Sequence, residues 1–276
     1  MRNYKNFIAF VISLVWILLT LFPLYFTLKF SLEPENKIFS PTFKLFPVTI
    51  SLNNYVSLFE YSYIPFPRIY MNSIIVSLTS AFIVIIISLF AAYTFSRFRF
   101  KGRKTLLVII AFCSTVPSVF YAIPFFDVFA KLHLIDTYLA LIIAYVPLFL
   151  PIPVWMIKSY FDSVPKEIEE AAIIDGASYT RILLRITLPL AAPGIVAAFV
   201  CTFAWAWGEF LLSYILTSSP DMRTLPVGLQ LFISKYRGSY GILSAGTLLA
   251  TFPTVILYGF LQKYIIQGLT RGALKG

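Results

Sequence analysis

The sequence predicts an all-α membrane protein with six transmembrane helices, and three observations support that fold class. Hydrophobic residues make up 59% of the 276 residues and charged residues only 12%, whereas a soluble domain has roughly a quarter of its residues charged. Disordered chains combine low hydrophobicity with high charge, so that class is excluded as well. Six uncharged, mainly apolar segments are each long enough to cross a bilayer, which takes about 20 residues in a helix.

The six apolar segments are separated by charged residues. None of them shows the strict alternation of polar and apolar residues that an outer-membrane barrel strand requires. The first segment is too long for a signal peptide and no small-residue cleavage site follows it, so we interpret it as a retained span. The predicted spans are residues 7–28, 69–96, 105–126, 137–157, 186–208 and 238–262.

The distribution of basic residues predicts that both termini are cytoplasmic. Cytoplasmic loops carry an excess of Lys and Arg, and the densest cluster, residues 97–104, has five basic residues between the second and third spans. A net charge of +10 would favour nucleic-acid binding by a soluble chain. Here the basic residues lie at membrane boundaries, where they contact anionic lipid. We therefore expect the lipid bilayer as a partner and no nucleic acid.

The inner stretch 158–190 is richer in charge than the rest of the chain, with nine charged residues. Asp162 and Ser163 are typical N-cap residues, so we expect a helix to begin there. Glutamates in its first turn suit the positive end of the helix dipole. Gly176 supplies a turn to a second short helix from about Ser178. The stretch predicts a helix–turn–helix on the inner membrane face.

This stretch carries a known signature. Glu170, Ala171 and Ala172 are followed by Gly176, and then by Ile186, Leu188 and Pro189, at fixed spacing without a gap. The pattern resembles the EAA signature of permease subunits of binding-protein-dependent ABC importers, and the chain resembles their sugar-importer branch, of the maltose-permease type. The segments that support the resemblance are 93–97, 207–210, 224–229 and 268–276.

The resemblance implies a type I ABC importer permease fold and a coupling role for the signature. Family members of this kind dock the EAA helix in a cleft of a cytoplasmic ATPase. Glu170 would offer a charge to that partner, Ala171 and Ala172 would permit close approach, Gly176 would allow the turn, and Asp175 would cap the helix or contact the partner. The alternative is an amphipathic helix that only lies at the membrane interface.

Three regions follow from these assignments. Residues 1–68 form the first transmembrane helix and an outer loop, in which residues 31–68 show no clear helical period. Residues 69–266 form the transmembrane core of five helices, with the EAA coupling loop at about 158–190. Residues 267–276 form a cytoplasmic tail, and we expect Arg271 and Lys275 to reach the ATPase.

The chain has no motif that would bind nucleotide or perform catalysis. A phosphate-binding loop needs two glycines at a set distance before Lys and Ser or Thr, and the nearest match, at residues 102–105, lacks the upstream glycine. His133, the only histidine, has no metal-ligating companions. We therefore expect no catalytic residues, no metal and no cofactor on this chain, with ATP and Mg on the partner ATPase.

The resemblance also implies the assembly and the location. It implies a second permease subunit, in a heterodimer, together with a cytoplasmic ATPase dimer and an extracytoplasmic sugar-binding protein. It places the complex in the cell membrane of a prokaryote. The chain would then form half of the membrane pathway for a maltose-like or oligosaccharide-like sugar.

The candidate substrate-pathway residues are Trp205, Trp207 and Glu209, because aromatic faces stack on sugar rings and a carboxylate accepts hydrogen bonds from hydroxyls. The alternative is an aromatic belt at the outer membrane interface. Two other function classes remain as alternatives. A secondary transporter for a neutral solute would need repeated spans and midplane ion ligands, and an embedded enzyme would need a catalytic set; the sequence shows neither.

Overall fold

The computed structural model describes the backbone of residues 2–39, 44–47, 49–60, 65–235 and 239–273, and side chains within 6–232 and 239–262 of those ranges. The regular elements of this described part are all helical. The chain divides into two compact units. One comprises Met1–Pro67 and Val227–Phe252, and the other comprises Arg68–Pro226 and Pro253–Gly276.

The helices differ greatly in length. In chain order they are α1 (Arg2–Leu32), α2 (Glu35–Ile38), α3 (Asn53–Glu60), α4 (Phe66–Arg97), α5 (Arg103–Cys113), α6 (Val119–Lys131), α7 (Tyr138–Phe149), α8 (Pro151–Ser163), α9 (Lys166–Ile174), α10 (Tyr179–Ile182), a π-helical turn (Leu183–Thr187), α11 (Leu188–Leu190), α12 (Ala192–Trp207), α13 (Leu211–Leu216), α14 (Leu225–Lys235) and α15 (Tyr240–Ala273).

Three helices among the described residues are long and apolar enough to cross a bilayer, and they correspond to the first, second and sixth predicted spans. They are Asn6–Leu32, Phe66–Arg97 and Tyr240–Gln262. Two bent pairs raise the number to as many as five. Tyr138–Phe149 and Pro151–Ser163 meet at 50°, and Tyr179–Leu190 and Ala192–Trp207 meet at 81°. These pairs cover the fourth and fifth predicted spans.

The third predicted span, residues 105–126, is divided between two helices. α5 ends at Cys113 and α6 begins at Val119. Pro117 lies in the break, where its ring and missing N–H disfavour a continuous helix. The apolar run is therefore present, but it is not one helix.

The bends in the two pairs also coincide with prolines. Pro151 and Pro153 begin α8, and Pro193 lies in the first turn of α12, where a missing N–H costs little. Ala191, between α11 and α12, has left ordinary helical geometry with φ −93° and ψ 3°. Pro23 and Pro253 in contrast lie inside continuous helices.

Residues 31–68, where the sequence shows no clear helical period, include the short helices α2 and α3. Asn54 of α3 is buried and donates hydrogen bonds to the carbonyl oxygens of Ser31 and Glu33, at 3.0 and 2.9 Å. Those carbonyls lie at the end of α1, where helix C-termini leave oxygens unpaired. The amide of Asn54 thus fixes α3 to α1.

The core of the second unit packs α8 against α12 and α4. Gly194 of α12 lies against the ring of Tyr160 on α8, so closely that a Cβ at this position would collide with the ring. The apolar cluster at this contact joins α4, α8, the π-helical turn and α12. Its buried members are Ile85, Ala92, Tyr93, Ile157, Phe161, Leu183, Ala191 and Ala198.

Candidate functional site

The helix predicted within the charged stretch 158–190 begins about one turn later than the sequence suggests. Asp162 and Ser163 are the last residues of α8, and α9 begins after Pro165. The predicted N-cap at Asp162 or Ser163 is therefore wrong. The carboxylate of Asp162 instead accepts hydrogen bonds from Nζ of Lys158, at 2.5 Å, and from the hydroxyl of Ser96, at 2.6 Å.

The turn after α9 is formed at Gly176. Its φ is +80°, a conformation that costs a side-chain-bearing residue about 1–2 kcal/mol. The N–H of Gly176 donates to the carbonyl of Ile173 and the N–H of Ala177 to that of Ala172, both at 2.9 Å. This pair of bonds is the Schellman motif that closes a helix C-terminus. The hydroxyl of Ser178 then accepts from the N–H of Arg181 and starts α10.

The signature residues divide between an outward and an inward group. Glu170, Ala171, Asp175, Gly176 and Pro189 are exposed, whereas Ala172, Ile186 and Leu188 are partly buried. The two residues after the signature alanines are also exposed, Ile173 at 43% and Ile174 at 86%. The structure therefore brings Glu170, Ala171 and Asp175 to the outer side of one short helix and its turn.

Glu169, one of the glutamates in the first turn of α9, is the buried carboxylate of this region. It is 6% exposed, and Arg97 donates to it from Nε and Nη2, at 2.9 and 2.8 Å. The hydroxyl of Thr187 donates to the same carboxylate at 2.7 Å, and that of Tyr93 at 3.3 Å. Three separate elements, α4, α9 and the π-helical turn, meet at this one group.

The protonation state of Glu169 follows from these contacts. Burial by itself would raise the pKa of Glu169, but the hydrogen bonds from Arg97 and Thr187 and the positive charge of Arg97 outweigh burial and leave the pKa below its ordinary value. The group is therefore ionised at neutral pH. No pattern in the sequence links Arg97 to Glu169, which is 72 positions away.

Arg97 also holds the segment that leads into α9. Its Nη2 donates to the carbonyl of Val164 at 3.2 Å, and its Nη1 donates to Ser96 at 2.9 Å. Val164 is buried and lies between α8 and α9. The guanidinium thus contacts α9 and the connection before it.

Two of the three substrate-pathway candidates share a cavity. Trp205 and Glu209 line a space of about 320 Å³. The other lining residues are Ser114, Ser118, Leu148, Phe149 and Ile152. Trp207 does not line it; its side chain is buried, stacks on Phe203 and packs edge-to-face with Tyr70. The two serines lie in the break between α5 and α6, and no pattern in the sequence marks them as part of a site.

The carboxylate of Glu209 has a local structural role. It accepts hydrogen bonds from the backbone N–H groups of Leu212 and Ser213, at 2.8 and 3.1 Å, and from the hydroxyl of Tyr145 at 2.7 Å. These backbone groups belong to the first turn of α13, where N–H groups lack partners within the helix. Glu209 therefore caps α13 while one side faces the cavity.

The remaining predicted site residues lie at the C-terminus. Lys275 and the side chain of Arg271 lie outside the described residues. Within the described part of the chain, no three His, Cys, Asp or Glu side chains come together in a way that could hold a metal ion.

Comparison with known proteins identifies the family. The family model for the inner membrane component of binding-protein-dependent transport systems matches residues 84–271, which is more than half of the chain. The chain belongs to this family. The resemblance drawn from the EAA signature is confirmed, and the chain is a non-catalytic permease subunit and a multi-pass membrane protein.

Curated relatives cover almost the whole chain. It is 37% identical to the inner membrane ABC transporter permease protein YcjP of Escherichia coli (strain K12), over 95% of this chain and 94% of that protein. It is 34% identical to the trehalose/maltose transport system permease protein MalG of Thermococcus litoralis, over 99% of this chain and 98% of that protein.

A solved structure shows the same fold. A bacterial ABC transporter involved in the import of the acidic polysaccharide alginate superposes with a TM-score of 0.79 at 22% identity, over 95% of this chain and 97% of that chain. The helical arrangement of this protein is therefore that of an ABC importer permease.

Proposed function

We propose that this chain forms half of the membrane pathway of an ATP-driven carbohydrate importer in a prokaryotic cytoplasmic membrane. It crosses the membrane six times with both termini in the cytoplasm, and α9 couples it to a separate ATPase. One observation carries the coupling proposal. Glu170 and Ala171 are exposed on α9, while Glu169 fastens the same helix to the protein.

The exposed side of α9 suits a protein partner. Ile174 is 86% exposed and follows Glu170 and Ala171 by four and three positions, which places it on their side of the helix. Ala171 adds little bulk, which permits close approach, and Glu170 adds a charge that specifies the partner's orientation. The helix is only nine residues long, so a cleft on the ATPase would enclose it.

The proposed substrate class is a maltose-like or oligosaccharide-like sugar. It is supported by the names of the relatives, one of which is a trehalose/maltose permease, while the alginate transporter shares the fold. Within the chain, the cavity beside Trp205 and Glu209 offers an aromatic face, a carboxylate and two serines. Its volume is at the lower end of the range of small-molecule sites, about 300–1,000 Å³.

The proposed assembly contains a second, different permease subunit, an ATPase dimer and an extracytoplasmic sugar-binding protein. The family description, which names transport that depends on a binding protein, supports the last of these. ATP and Mg belong to the ATPase, and this chain binds no cofactor. The cytoplasmic tail, with Arg271 and Lys275, adds a basic contact to the ATPase.

The coupling proposal is tested with Glu170→Lys and Gly176→Val in the assembled importer. We expect each substitution to lower co-purification of the ATPase and the hydrolysis that substrate stimulates. The matched control is Asp127→Asn, which removes an exposed carboxylate on α6 whose partner is Lys131. Wild-type co-purification and wild-type stimulation in both α9 variants would refute the coupling role.

A further inference from the structure

Glu169 is the one fully buried side chain of α9. The three isoleucines of this nine-residue helix are exposed. Helices in proteins are usually held by an apolar face that packs on a core. In α9 the buried side chain is instead a carboxylate with hydrogen bonds to other elements.

Glu169 of α9 is bound by a helix that is distant from α9 in the sequence. The neighbours of α9 in sequence are α8 and α10, but its buried carboxylate is bound by Arg97 and Tyr93 at the inner end of α4. α4 is 32 residues long and meets the criteria for a membrane span. A side-chain contact thus connects α9 directly to a long helix that is remote in sequence.

The Arg97–Glu169 ion pair is short, bidentate and largely shielded from solvent. Arg97 and Glu169 make two parallel N–H···O bonds, both below 3.0 Å, and both side chains are 7% exposed. Bidentate pairs of this kind fix direction as well as distance. The pair Lys131–Asp127 differs, because its side chains are 72% and 60% exposed and such pairs constrain little.

We propose that the Arg97–Glu169 pair passes displacement of α9 directly to the inner end of α4, so that both are positioning residues that couple ATP hydrolysis to transport. The inference rests on the proposed function, in which a partner ATPase moves α9. Since Arg97 also holds the carbonyl of Val164, α9 and its leading segment move with α4 as one body.

The first test compares Glu169→Gln and Glu169→Asp in the assembled importer, reconstituted in liposomes. The amide cannot form the ion pair, so we expect solute uptake per ATP hydrolysed to fall about tenfold. ATPase co-purification remains, because the outward side of α9 is unchanged. The Glu169→Asp variant keeps a carboxylate, so we expect its uptake per ATP hydrolysed to fall less. The control Asp127→Asn should keep the wild-type uptake per ATP hydrolysed. A wild-type ratio in Glu169→Gln, or equal losses in the Gln and Asp variants, would overturn the proposal.

A second measurement applies even where the Gln variant fails to assemble. Spin labels are placed at the exposed positions Thr94→Cys on α4 and Lys166→Cys on α9, after Cys113 and Cys201 are replaced by serine. Double electron–electron resonance spectroscopy then measures the distance between the two spin labels with and without ATP. We expect no change with nucleotide when the ion pair is intact. A change of several ångströms would show that the two helices move separately and would overturn the link.

The two proposals fail in different ways. If Glu170→Lys and Gly176→Val behave as wild type, α9 is not the coupling helix. If those variants are defective while Glu169→Gln keeps the wild-type uptake per ATP, coupling through α9 stands and only the link through Arg97 is wrong.

Discussion

Glu169 and Glu170 are consecutive residues of one helix, and their carboxylates lie in opposite surroundings. Glu169 is 6% exposed and accepts hydrogen bonds from Arg97, Thr187 and Tyr93. Glu170 is exposed to solvent. Adjacent positions on a helix are about 100° apart around its axis, so α9 presents one acid to the protein and the next to its surroundings.

The buried acid predicts a pH dependence of stability. The pKa of Glu169 is lower in the folded protein than its ordinary value of 4.5, so its contribution is fully present above that value and is lost as pH falls through the folded pKa. The charged or titratable groups that contact it are Arg97 and Tyr93, both from α4. We expect the thermal unfolding midpoint of the detergent-solubilised protein to fall on acidification from about pH 6 to about pH 3.

The control for this prediction is Glu169→Gln, which cannot titrate. Its midpoint should start lower, because an unpaired buried Arg97 costs about 3–5 kcal/mol, and should vary less with pH over the same range. Parallel curves for the two proteins would assign the acid sensitivity to other carboxylates.

The turn after α9 predicts a conformational rather than a steric cost at Gly176. A Cβ there would meet nothing within 4 Å, but the φ of +80° is unfavourable for side-chain-bearing residues. Gly176→Val should therefore lose about 1–2 kcal/mol in the free energy of unfolding. Gly176→Asn should lose less, because Asn adopts the left-handed region more readily. Chemical denaturation of both variants measures the difference, and equal losses would contradict the conformational explanation.

The cap of α13 predicts a measurable interaction between Tyr145 and Glu209. Tyr145 is fully buried and its hydroxyl donates to Glu209 at 2.7 Å, so Tyr145→Phe should cost about 2 kcal/mol, as for hydrogen bonds to charged groups. The matched control is Tyr214→Phe, since Tyr214 is 52% exposed and its loss should stay within about 0.5 kcal/mol.

A double-mutant cycle with Glu209→Gln isolates that interaction. We expect a coupling energy of about 1–2 kcal/mol from thermal unfolding. Additive effects would mean that the hydroxyl and the carboxylate do not interact in solution. The Tyr145→Phe variant loses one hydrogen bond of the cap but keeps Trp205 and Glu209, which line the cavity. Its sugar uptake therefore tests the role of the cap independently of the residues that line the cavity.

Local signals explain what could be predicted from the sequence. The turn at Gly176 and the three longest helices depend on residues a few positions apart, and such patterns are visible in one chain. Asp162 and Ser163 were assigned to the wrong helix end, because small polar residues also occur where a helix stops. Apolarity predicted that residues 105–126 lie within the bilayer, but it does not report the break between α5 and α6.

Contacts between distant residues could not be predicted in the same way. In the sequence, Arg97 is one of five basic residues that orient the chain and the last residue of a segment that supports the family resemblance, and Glu169 is an acid near a helix N-terminus. Their ion pair depends on how α4 and α9 pack, which no spacing in a single sequence encodes. The same holds for Tyr145, which reaches Glu209 across 64 positions.

The broken third segment leads to a prediction about topology. If α5 and α6 together cross the membrane, as six spans require, Lys101 before α5 and Lys131 at the end of α6 lie on opposite sides. Both positions are exposed, so cysteine substitutions there should react with a maleimide wherever the reagent has access. In intact cells of a variant without native cysteines, an impermeant maleimide should label Lys131→Cys and leave Lys101→Cys unlabelled. Both should be labelled after the membrane is permeabilised. Labelling of both or of neither in intact cells would mean that this segment returns to the side from which it entered, leaving five spans and termini on opposite sides.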